Sequence, residues 1–420
     1  MTKNVVIIGG GFGGLQAAKA LGNTHEFHIT LLDRRNYHLF QPLLYQVAMA
    51  GLSATDIAMP IRGLLSKYRN INVLLENVER IDLDNQIVIS DAAEHSYDYL
   101  ICACGAKHSY FGHEHWEERA PGLKTLEQAI EIRRRILTAF ELAEREKDRV
   151  KFKQHLTFVV IGGGPTGVEL AGAIGEISRF TLSKDFRNIN PSNARIILIE
   201  AGDRILSGFD PDLSKKAVRC LEKLGVQVWV NSRVTGVTEV GVQVGEEFLE
   251  SETVLWAAGV QPSSINKEIN TTKDVQGRIK VEKDLSLAGH PNVFFIGDQT
   301  SVLDNNGNPL PGIAPVAIQQ GHFVGNLLKR ELKGKPRMDF EYTDKGQMAT
   351  IGRKMAVLQI GRIKLWGFLA WLAWLFVHIY YLIGFKNRVF VFIQWTWHYL
   401  NYGRGARLIM DREWRSYRRN

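Results

Sequence analysis

Two stretches of this chain show the same succession of hydrophobic and small residues. Residues 5–8 are four consecutive β-branched apolar residues, typical of a short buried strand, and a glycine-rich turn and an apolar helical pattern follow at 9–21. The same order returns at residues 158–171. A buried strand, a tight turn and a helix form the opening unit of a doubly wound sheet. The pattern therefore predicts an α/β protein that contains this unit twice.

Both turns carry the glycine spacing of a dinucleotide-binding loop. Their glycines are Gly9, Gly11, Gly13 and Gly14 in the first copy and Gly162, Gly164 and Gly167 in the second. In such a loop one glycine allows the turn, one lets the backbone approach a pyrophosphate, and one lets the helix pack on the strand. Two copies favour two Rossmann-like domains, each binding a dinucleotide, over the alternative of two ordinary glycine-rich turns.

An acidic residue closes the strand that follows each loop, at Asp33 and at Glu200. A carboxylate at this point accepts hydrogen bonds from ribose hydroxyls and repels a 2′-phosphate, so Glu200 favours NADH over NADPH. The alternative for Glu200 is a solvated acid at the end of a strand.

The remaining strands indicate how the two domains are arranged along the chain. Buried strands are predicted at residues 97–105, 253–259 and 292–298. Because the last of these returns to the first domain, we expect the second domain to be inserted within the first. Short alternating runs at 72–75 and 86–89 predict a small β-meander.

A long amphipathic helix is predicted after Thr125, which forms a capping box with Gln128. Apolar residues recur at intervals of three and four as far as Ala143, interrupted only by Arg133. We interpret this helix as packing on one edge of a sheet.

The C-terminal part of the chain is strongly aromatic. Residues 365–384 contain only His378 as an ionisable residue, and a second aromatic stretch follows at 389–400. The tryptophans and tyrosines favour helices lying in the headgroup region of a bilayer over a transmembrane span, and a buried dimer face is the third alternative. The arginines of the tail favour anionic lipid. They are Arg404, Arg407, Arg412, Arg415, Arg418 and Arg419.

Composition and cysteine spacing exclude some classes of function. The 420 residues suffice for two or three domains, and their net charge of +8 suits an anionic surface. The three cysteines form no C-x-x-C motif, and none lies between Asp33 and Asp98, which excludes disulfide reduction. No metal site is predicted. No signal or transit peptide precedes the first strand, so we expect the chain to begin folded and cytosolic.

The sequence resembles the type II NADH dehydrogenases, the single-subunit NADH:quinone oxidoreductases that do not pump protons. The matching segments are the two glycine loops, residues 38–48, residues 256–262 and the aromatic tail at 365–410. The family's quinone signature, A-Q-x-A-x-Q, is similar to residues 314–319. Here Pro315 replaces a glutamine, while Ala314, Ala317 and Gln319 are kept.

The resemblance implies non-covalent FAD, bound NADH and a pocket for a quinone. The implied FAD residues are Gly9, Gly11, Gly13, Gly14, Asp33, Ala103, Gly105, Gly297 and Asp298. The implied NADH residues are Gly162, Gly164, Gly167, Glu200 and Gly259. Ala314, Ala317 and Gln319 would contact the quinone, and Glu169 and Gln319 would be the catalytic residues.

The resemblance also implies a reaction and a domain order. Hydride would pass from NADH to FAD, and two electrons would then reduce the quinone, with Glu169 helping to supply protons. The alternative for Glu169 is a carboxylate stabilised by the helix dipole. The expected boundaries are 1–120 and 283–345 for the FAD domain, 121–154 for a connecting helix, 155–282 for the NADH domain and 346–420 for a membrane-anchoring region.

The sequence is also compatible with two other functions. A sulfide:quinone oxidoreductase has the same fold and anchor but needs two or three cysteines near the flavin. A flavoprotein of the apoptosis-inducing type would bind DNA through a basic folded surface, whereas here arginines follow an aromatic anchor. We expect a homodimer that binds no nucleic acid and lies peripherally on the cytoplasmic face of a bacterial plasma membrane.

Overall fold

The computed structural model describes residues 2–183, 185–304, 306–382, 384–401 and 406–410. The contacts divide the chain into two compact units. The first unit consists of Met1–Leu39, Ala58–Lys107 and Val260–Lys345, and the second of Phe40–Ile57, His108–Gly259 and Gly346–Asn420, as far as these segments are described.

The strands are distributed along most of the chain. In chain order they are β1 (Lys3–Ile8), β2 (Phe27–Asp33), β3 (Tyr37–Leu39), β4 (Ala58–Pro60), β5 (Ile71–Leu75), β6 (Val78–Asp82), β7 (Ile87–Ser90), β8 (Glu94–Ser96), β9 (Tyr99–Cys102), β10 (Ala106–His108), β11 (Thr157–Ile161), β12 (Arg195–Ile199), β13 (Val226–Trp229), β14 (Val234–Val237), β15 (Gly241–Val244), β16 (Glu247–Glu250), β17 (Thr253–Trp256), β18 (Val260–Pro262), β19 (Ile279–Lys280), β20 (Ser286–Leu287), β21 (His290–Phe295), β22 (Thr300–Ser301), β23 (Gln347–Thr350), β24 (Ala356–Ile360) and β25 (Ile363–Gly367).

The helices alternate with these strands. They are α1 (Phe12–Leu21), α2 (Leu44–Ala48), α3 (Ala54–Ile57), α4 (Ile61–Leu65), α5 (Leu126–Arg145), α6 (Arg149–His155), α7 (Pro165–Glu176), α8 (Pro211–Lys223), α9 (Ile265–Glu268), α10 (Ala314–Glu331), α11 (Phe368–Tyr381) and α12 (Phe385–Asn401).

The first unit is built on a sheet in the order β20-β21-β9-β1-β2-β5. Strand β1 pairs in parallel with β2 and with β9, and β21 pairs in parallel with β9. Because β21 follows the second unit in the chain, this sheet is assembled from segments on both sides of an insertion. The predicted insertion of one dinucleotide-binding unit within the other is therefore confirmed.

One prediction for the first unit was wrong. Residues 72–75 do not belong to a β-meander, because β5 pairs in parallel with β2 as an edge strand of the main sheet. The antiparallel meander consists of β6, β7 and β8. A short alternating run is compatible with a meander strand and with an edge strand of the main sheet. The local pattern does not predict the pairing with β2, because that pairing joins segments far apart in the chain.

The second unit repeats the arrangement with the parallel order β13-β12-β11-β17. Helix α5 begins as predicted: the Thr125 side chain accepts a hydrogen bond from the Gln128 backbone N–H, and Gln128 Oε1 accepts one from the Lys124 N–H. Phe140 of α5 is fully buried and packs its ring 5.3 Å from that of Phe158 in β11.

The C-terminal segment contains a strand where a helix was predicted. Residues 365–367 belong to β25, which pairs with β24, and α11 starts only at Phe368. Gly367 has a φ of 79°, a conformation that favours glycine and separates the strand from the helix. Within the described ranges, no helix combines the length and hydropathy that a bilayer span requires. Apart from Arg407, the arginines of the predicted basic tail lie outside the described residues.

Candidate functional site

The first glycine loop connects β1 to α1. Gly9 has a φ of 98°, and a side chain at Gly14 would collide with the Gly9 carbonyl oxygen. A Cβ at Gly11, in contrast, would meet no atom within 4 Å. Gly9 and Gly14 are thus required by the turn and the helix packing, while the space over Gly11 is open. This is the cradle that a pyrophosphate needs at a helix N-terminus.

Two side chains hold the peptide groups of Gly10 in this loop. Asp33 Oδ2 accepts a hydrogen bond of 2.6 Å from the Gly10 N–H, and His38 Nδ1 donates one of 2.9 Å to the Gly10 carbonyl. His38 is buried, and burial lowers its pKa to about 4, so its ring is neutral near pH 7. Burial also raises the pKa of Asp33. The sequence singled out Asp33 but gave His38 no role, because its partner lies far away in the chain.

The other predicted flavin residues lie in the same unit. Gly105 and Gly297 both have positive φ, at 67° and 78°. A Cβ at Gly105 would meet nothing within 4 Å, whereas one at Gly297 would lie 3.5 Å from the Ala317 Cβ. Ala103 lies directly under the first loop, where its carbonyl would obstruct a side chain at Gly9. Asp298 is the middle residue of the short 3₁₀ turn Gly297–Gln299.

Helix α10 carries the predicted quinone residues and packs against the first glycine loop. Gly321 approaches the Gly13 carbonyl so closely that a side chain at position 321 would collide with it. The adjacent Gln320 is buried, and its Oε1 accepts a 2.6 Å hydrogen bond from the Gly297 N–H. Pro315 lies in the first turn of α10, where the absent N–H leaves no helical bond unmade. This accounts for the tolerance of proline at the second position of the motif.

Gln319 pairs its side-chain amide with one backbone residue. Its Nε2 donates to the Thr343 carbonyl at 2.9 Å, and its Oε1 accepts from the Thr343 N–H at 3.0 Å. Gln319 thus holds the segment around residue 343, and its catalytic role stays a prediction. Ala314 and Ala317 lie in the first turn of the same helix, and Ala317 is buried.

The second glycine loop has the same geometry as the first. Gly162 has a φ of 108°, a side chain at Gly167 would collide with the Gly162 carbonyl, and a Cβ at Gly164 would meet nothing within 4 Å. Glu200 Oε2 accepts a 2.6 Å hydrogen bond from the Gly163 N–H, as Asp33 does from Gly10. Gly259 is in a positive-φ conformation at 76°.

Glu169 lies in the second turn of α7, after the second loop. Burial raises the pKa of its carboxyl to about 8, and Oε1 lies 3.4 Å from the Thr350 backbone N–H. A carboxylate stabilised mainly by the helix dipole would have a lowered pKa. The raised pKa leaves Glu169 largely protonated at neutral pH, which is the state a proton donor requires.

The second unit also contains a small aromatic cavity that the sequence pattern did not reveal. Its volume is about 80 Å³, and its walls include Tyr45, Met49, Trp371, Trp374 and Trp395. The ring of Trp374 stacks 5.5 Å from that of Trp395, whose Nε1 donates a 2.7 Å hydrogen bond to Gln46 Oε1. A flat apolar ligand suits such walls.

Charged residues reach the same cavity. Glu176 and Arg353 are among its lining residues, and they form an ion pair with 2.9 Å between Oε1 and Nε. Gly352, also at the wall, has a φ of 65°. The cavity therefore combines apolar rings with a polar side.

Arg133, which interrupts the apolar stripe of α5, is buried. Its guanidinium donates three hydrogen bonds to backbone carbonyls, those of Val47 at 2.8 Å, Leu52 at 3.2 Å and Ala406 at 3.0 Å. The loop between Val47 and Leu52 includes two cavity-lining residues, Met49 and Gly51. Arg133 thus anchors part of the cavity wall, a role that only the folded chain reveals.

The three cysteines are free thiols. Cys102 and Cys220 are buried and Cys104 is partly buried. Burial raises the pKa of Cys102 well above its usual range and that of Cys104 to about 12. Such thiols are poor nucleophiles, which disfavours sulfide oxidation through these residues.

Comparisons with known proteins agree with this geometry. The family model for pyridine nucleotide-disulphide oxidoreductases matches residues 3–321. A type II NADH:quinone oxidoreductase of Mycobacterium tuberculosis is 44% identical over 425 residues, which cover 97% of this chain and 90% of that relative. This chain belongs to the type II NADH:quinone oxidoreductases. A type II enzyme of Staphylococcus aureus is 31% identical, covering 83% of this chain and 88% of its own.

Solved structures of low sequence identity share the fold. NDH2 of Plasmodium falciparum in complex with NADH has a TM-score of 0.87 at 21% identity, covering 98% of this chain and 100% of its own. The sulfide:quinone oxidoreductase of Aquifex aeolicus has a TM-score of 0.74 at 20% identity, covering 92% of each chain. The 44% identity to a named type II enzyme confirms the resemblance to type II NADH dehydrogenases, and the sulfide:quinone oxidoreductase shares the fold with a lower TM-score than NDH2.

Proposed function

We propose that this chain is an NADH:quinone oxidoreductase that uses FAD and moves no protons across the membrane. The observation that carries the proposal is the match to named type II enzymes, which covers 97% of the chain and includes both glycine loops. FAD, when bound, supplies the electron sink that accepts hydride from NADH and delivers two electrons to the quinone.

The residues assigned to FAD fit that cofactor. Gly11 offers open space at the N-terminus of α1, and Asp33 and His38 hold the adjoining Gly10 peptide in a fixed orientation. Gly105 and Gly297 provide two further backbone bends in the same unit. We assign these residues, with Gly9, Gly13, Gly14, Ala103 and Asp298, to the flavin nucleotide.

The residues assigned to NADH repeat this arrangement. Gly164 is open above the N-terminus of α7, and Glu200 holds the Gly163 N–H. The second carboxylate oxygen of Glu200 accepts from the Gly202 N–H at 2.7 Å. A ribose with a free 2′-hydroxyl can share this carboxylate, whereas a 2′-phosphate would face its charge. With Gly162, Gly167 and Gly259, these residues form the proposed nicotinamide nucleotide site.

Quinone reduction needs an apolar site and protons. Following the family motif, we assign Ala314, Ala317 and Gln319, all on helix α10, to the quinone. Glu169 is the proposed proton donor, because a carboxyl with a pKa of about 8 is protonated at neutral pH yet can release its proton to a reduced quinone.

We further propose that the chain binds the anionic cytoplasmic surface of a bacterial plasma membrane peripherally, as a homodimer. Helices α11 and α12 expose several large aromatic side chains, which are Phe368, Phe376, Tyr380, Phe390 and Phe392. Exposed rings of this kind are stabilised in the headgroup region of a bilayer. The homodimer follows from the family resemblance.

The test is NADH oxidation by the purified holoenzyme, with and without a short-chain quinone. We expect quinone-dependent turnover with NADH, much weaker turnover with NADPH and none with sulfide. If NADH bleaches the flavin but quinone does not restore its colour, the assignment of the quinone site is wrong. Turnover with sulfide would instead support the rival activity.

A further inference from the structure

The hairpin formed by β24 and β25 exposes an unusual amount of apolar surface. Ile360 and Ile363 face each other next to the turn, and Leu365 and Trp366 follow in β25. These four side chains are between 37% and 61% exposed. Strand β25 is also an edge of its sheet in the described part of the chain. Exposed apolar edge strands promote association with another chain unless something covers them.

One face of this hairpin is fixed to helix α8 and the residues before it. Asp210, the N-cap of α8, forms an ion pair with Lys364, and its N–H donates a 2.8 Å hydrogen bond to Gln359 Oε1. The ammonium of Lys216 lies 4.6 Å from the ring centroid of Trp366. Because side chains alternate along a strand, Ile363 and Leu365 point to the opposite face. The hairpin is therefore held in place with an apolar face left exposed.

The chain segment that contains the hairpin is basic. Residues 345–410 contain no aspartate or glutamate. The same stretch carries nine basic residues, which are Lys345, Arg353, Lys354, Arg362, Lys364, Lys386, Arg388, Arg404 and Arg407. Arg362 lies in the turn of the hairpin itself. The carboxylate of Asp210 pairs with Lys364 on the face towards α8, so the opposite, apolar face and the neighbouring Arg362 complement a surface that is apolar inside and anionic outside.

We propose that the tip of this hairpin, residues 360–366, inserts into the headgroup layer of an anionic membrane as a third contact beside α11 and α12. Ile360 and Ile363 would enter the acyl boundary, and Arg362 in the turn would contact lipid phosphates. This inference rests on the proposed membrane binding and adds a contact that neither helix supplies. The surface continues directly into α11, whose first residues, Phe368 and Leu369, are also exposed.

A second copy of this chain fits the hairpin less well than lipid does. Two such hairpins in a symmetric contact would bring together two basic segments that themselves contain no carboxylate. Anionic lipid neutralises this charge and covers the apolar face at once. A protein partner remains a distinguishable outcome of the experiment.

The first experiment reports the environment of the hairpin directly. An Ile363→Cys variant of the full holoenzyme is labelled with an environment-sensitive fluorophore and mixed with vesicles of phosphatidylcholine, with or without phosphatidylglycerol. The three native thiols are buried or partly buried and label slowly. We expect a blue shift of emission that requires phosphatidylglycerol and that brominated acyl chains quench.

A matched control uses another strand of the same unit. Phe248 in β16 is an exposed aromatic residue, but acidic residues surround it at Glu246, Glu247 and Glu250. A label on a Phe248→Cys variant should not change its emission when vesicles are added. An unchanged emission at position 363 on vesicle-bound protein would overturn the proposal. A blue shift that depends on protein concentration without vesicles would assign the surface to a second copy instead.

The second experiment measures the contribution to binding. The double variant Ile360→Ser, Ile363→Ser should bind phosphatidylglycerol vesicles about fivefold or more weakly in co-sedimentation, because two apolar side chains no longer enter the bilayer. Phe248→Ser should bind as the unchanged protein does. Equal affinity of the double variant would refute the hairpin contact. Failure of the unchanged protein to sediment with any vesicle would refute the underlying membrane proposal instead, so the two failures differ.

Discussion

At the scale of single residues, each glycine loop depends on an acid that holds one of its N–H groups. Asp33 binds Gly10 and Glu200 binds Gly163, both at 2.6 Å. The glycine spacing and the two acids are readable from sequence because they serve a local turn with fixed requirements. His38 and Arg133 are not readable in this way, since their partners are backbone atoms brought near by folding.

Because Asp33 and Glu200 have equivalent positions in the two loops, substituting each in turn tests which residue determines the preference for NADH over NADPH. Glu200→Gln keeps an oxygen that can accept from Gly163 but removes the charge that a 2′-phosphate would meet. We expect the ratio of kcat/KM for NADPH to that for NADH to rise about tenfold, or about 1.4 kcal/mol. Asp33→Asn makes the same change in the other loop and should leave this ratio unaltered. An unaltered ratio in Glu200→Gln would show that another residue selects the nucleotide.

Glu169 predicts a pH dependence of quinone reduction. Below a pKa of about 8 its carboxyl holds a proton, and above that value the proton is lost. Quinone-dependent turnover should therefore decline as the pH rises through about 8. In Glu169→Gln this decline should disappear and kcat should fall about tenfold or more, while bleaching of the flavin by NADH stays unchanged. A wild-type pH profile in the variant would remove Glu169 from the proton path.

His38 predicts a pH dependence of stability. Its pKa lies at about 4 in the folded chain and near 6.5 when unfolded, so the unfolded state binds more protons between these values. The contribution of His38 to the free energy of unfolding should therefore be complete above about pH 6.5. It should decrease as the pH falls towards 4, by about 1.4 kcal/mol per pKa unit of difference. His38→Gln should show a shallower decrease in chemical unfolding between these pH values. An identical slope would contradict a buried neutral imidazole.

At the scale of elements, α5 shows that a polar residue interrupting an apolar stripe can form important buried contacts. The stripe of α5 predicted its length and its buried face, and Arg133 appeared only as an interruption. In the structure its guanidinium satisfies three carbonyls that belong to segments far apart in the chain. The periodicity of a helix reports which side is buried but not what the buried polar groups bind.

This arrangement predicts a large difference between neighbouring arginines. Arg133→Met removes the guanidinium donor from three buried or partly buried carbonyls, of which that of Val47 keeps the Ala50 N–H, and should lower the free energy of unfolding by about 2–4 kcal/mol. Arg134→Met should lower it by about 1 kcal/mol or less, because Arg135 still binds Glu131. Denaturant unfolding of the two variants measures both values. Equal losses would show that the carbonyl contacts of Arg133 add no stability.

The two elements that were mispredicted fail for the same reason. Strand β5 and residues 365–367 are short apolar runs, which fit an edge strand, a hairpin or a helix start equally well. Their state is decided by pairing with β2 and β24, respectively, which are contacts between strands rather than local preferences. In α5, by contrast, the periodic stripe predicted a helix that starts after Thr125 and has apolar residues as far as Ala143, and the helix runs from Leu126 to Arg145. Local pattern alone suffices for a segment of this length.

At the scale of the whole molecule, chain order determines which segments build each unit. The pairing of β21 with β9 closes the first unit after the chain has completed the second nucleotide loop. Sequence could predict this insertion because the strand at 290–295 ends in a motif typical of flavin domains. It could not predict the aromatic cavity, whose walls come from three separate segments of the second unit.

The exposed aromatic helices give a prediction that concerns the whole molecule. Phe376 and Phe390 are each at least half exposed on α11 and α12, so replacing both with serine removes apolar surface without opening the core. We expect the double variant to sediment less with anionic vesicles and to reduce a long-chain quinone embedded in them more slowly, because fewer molecules reside at the bilayer. Reduction of a short-chain quinone in detergent should be unchanged, since it needs no bilayer. If both activities fell equally, these side chains would act in folding or catalysis rather than in docking. If neither changed, the membrane contact would have to lie elsewhere on the chain.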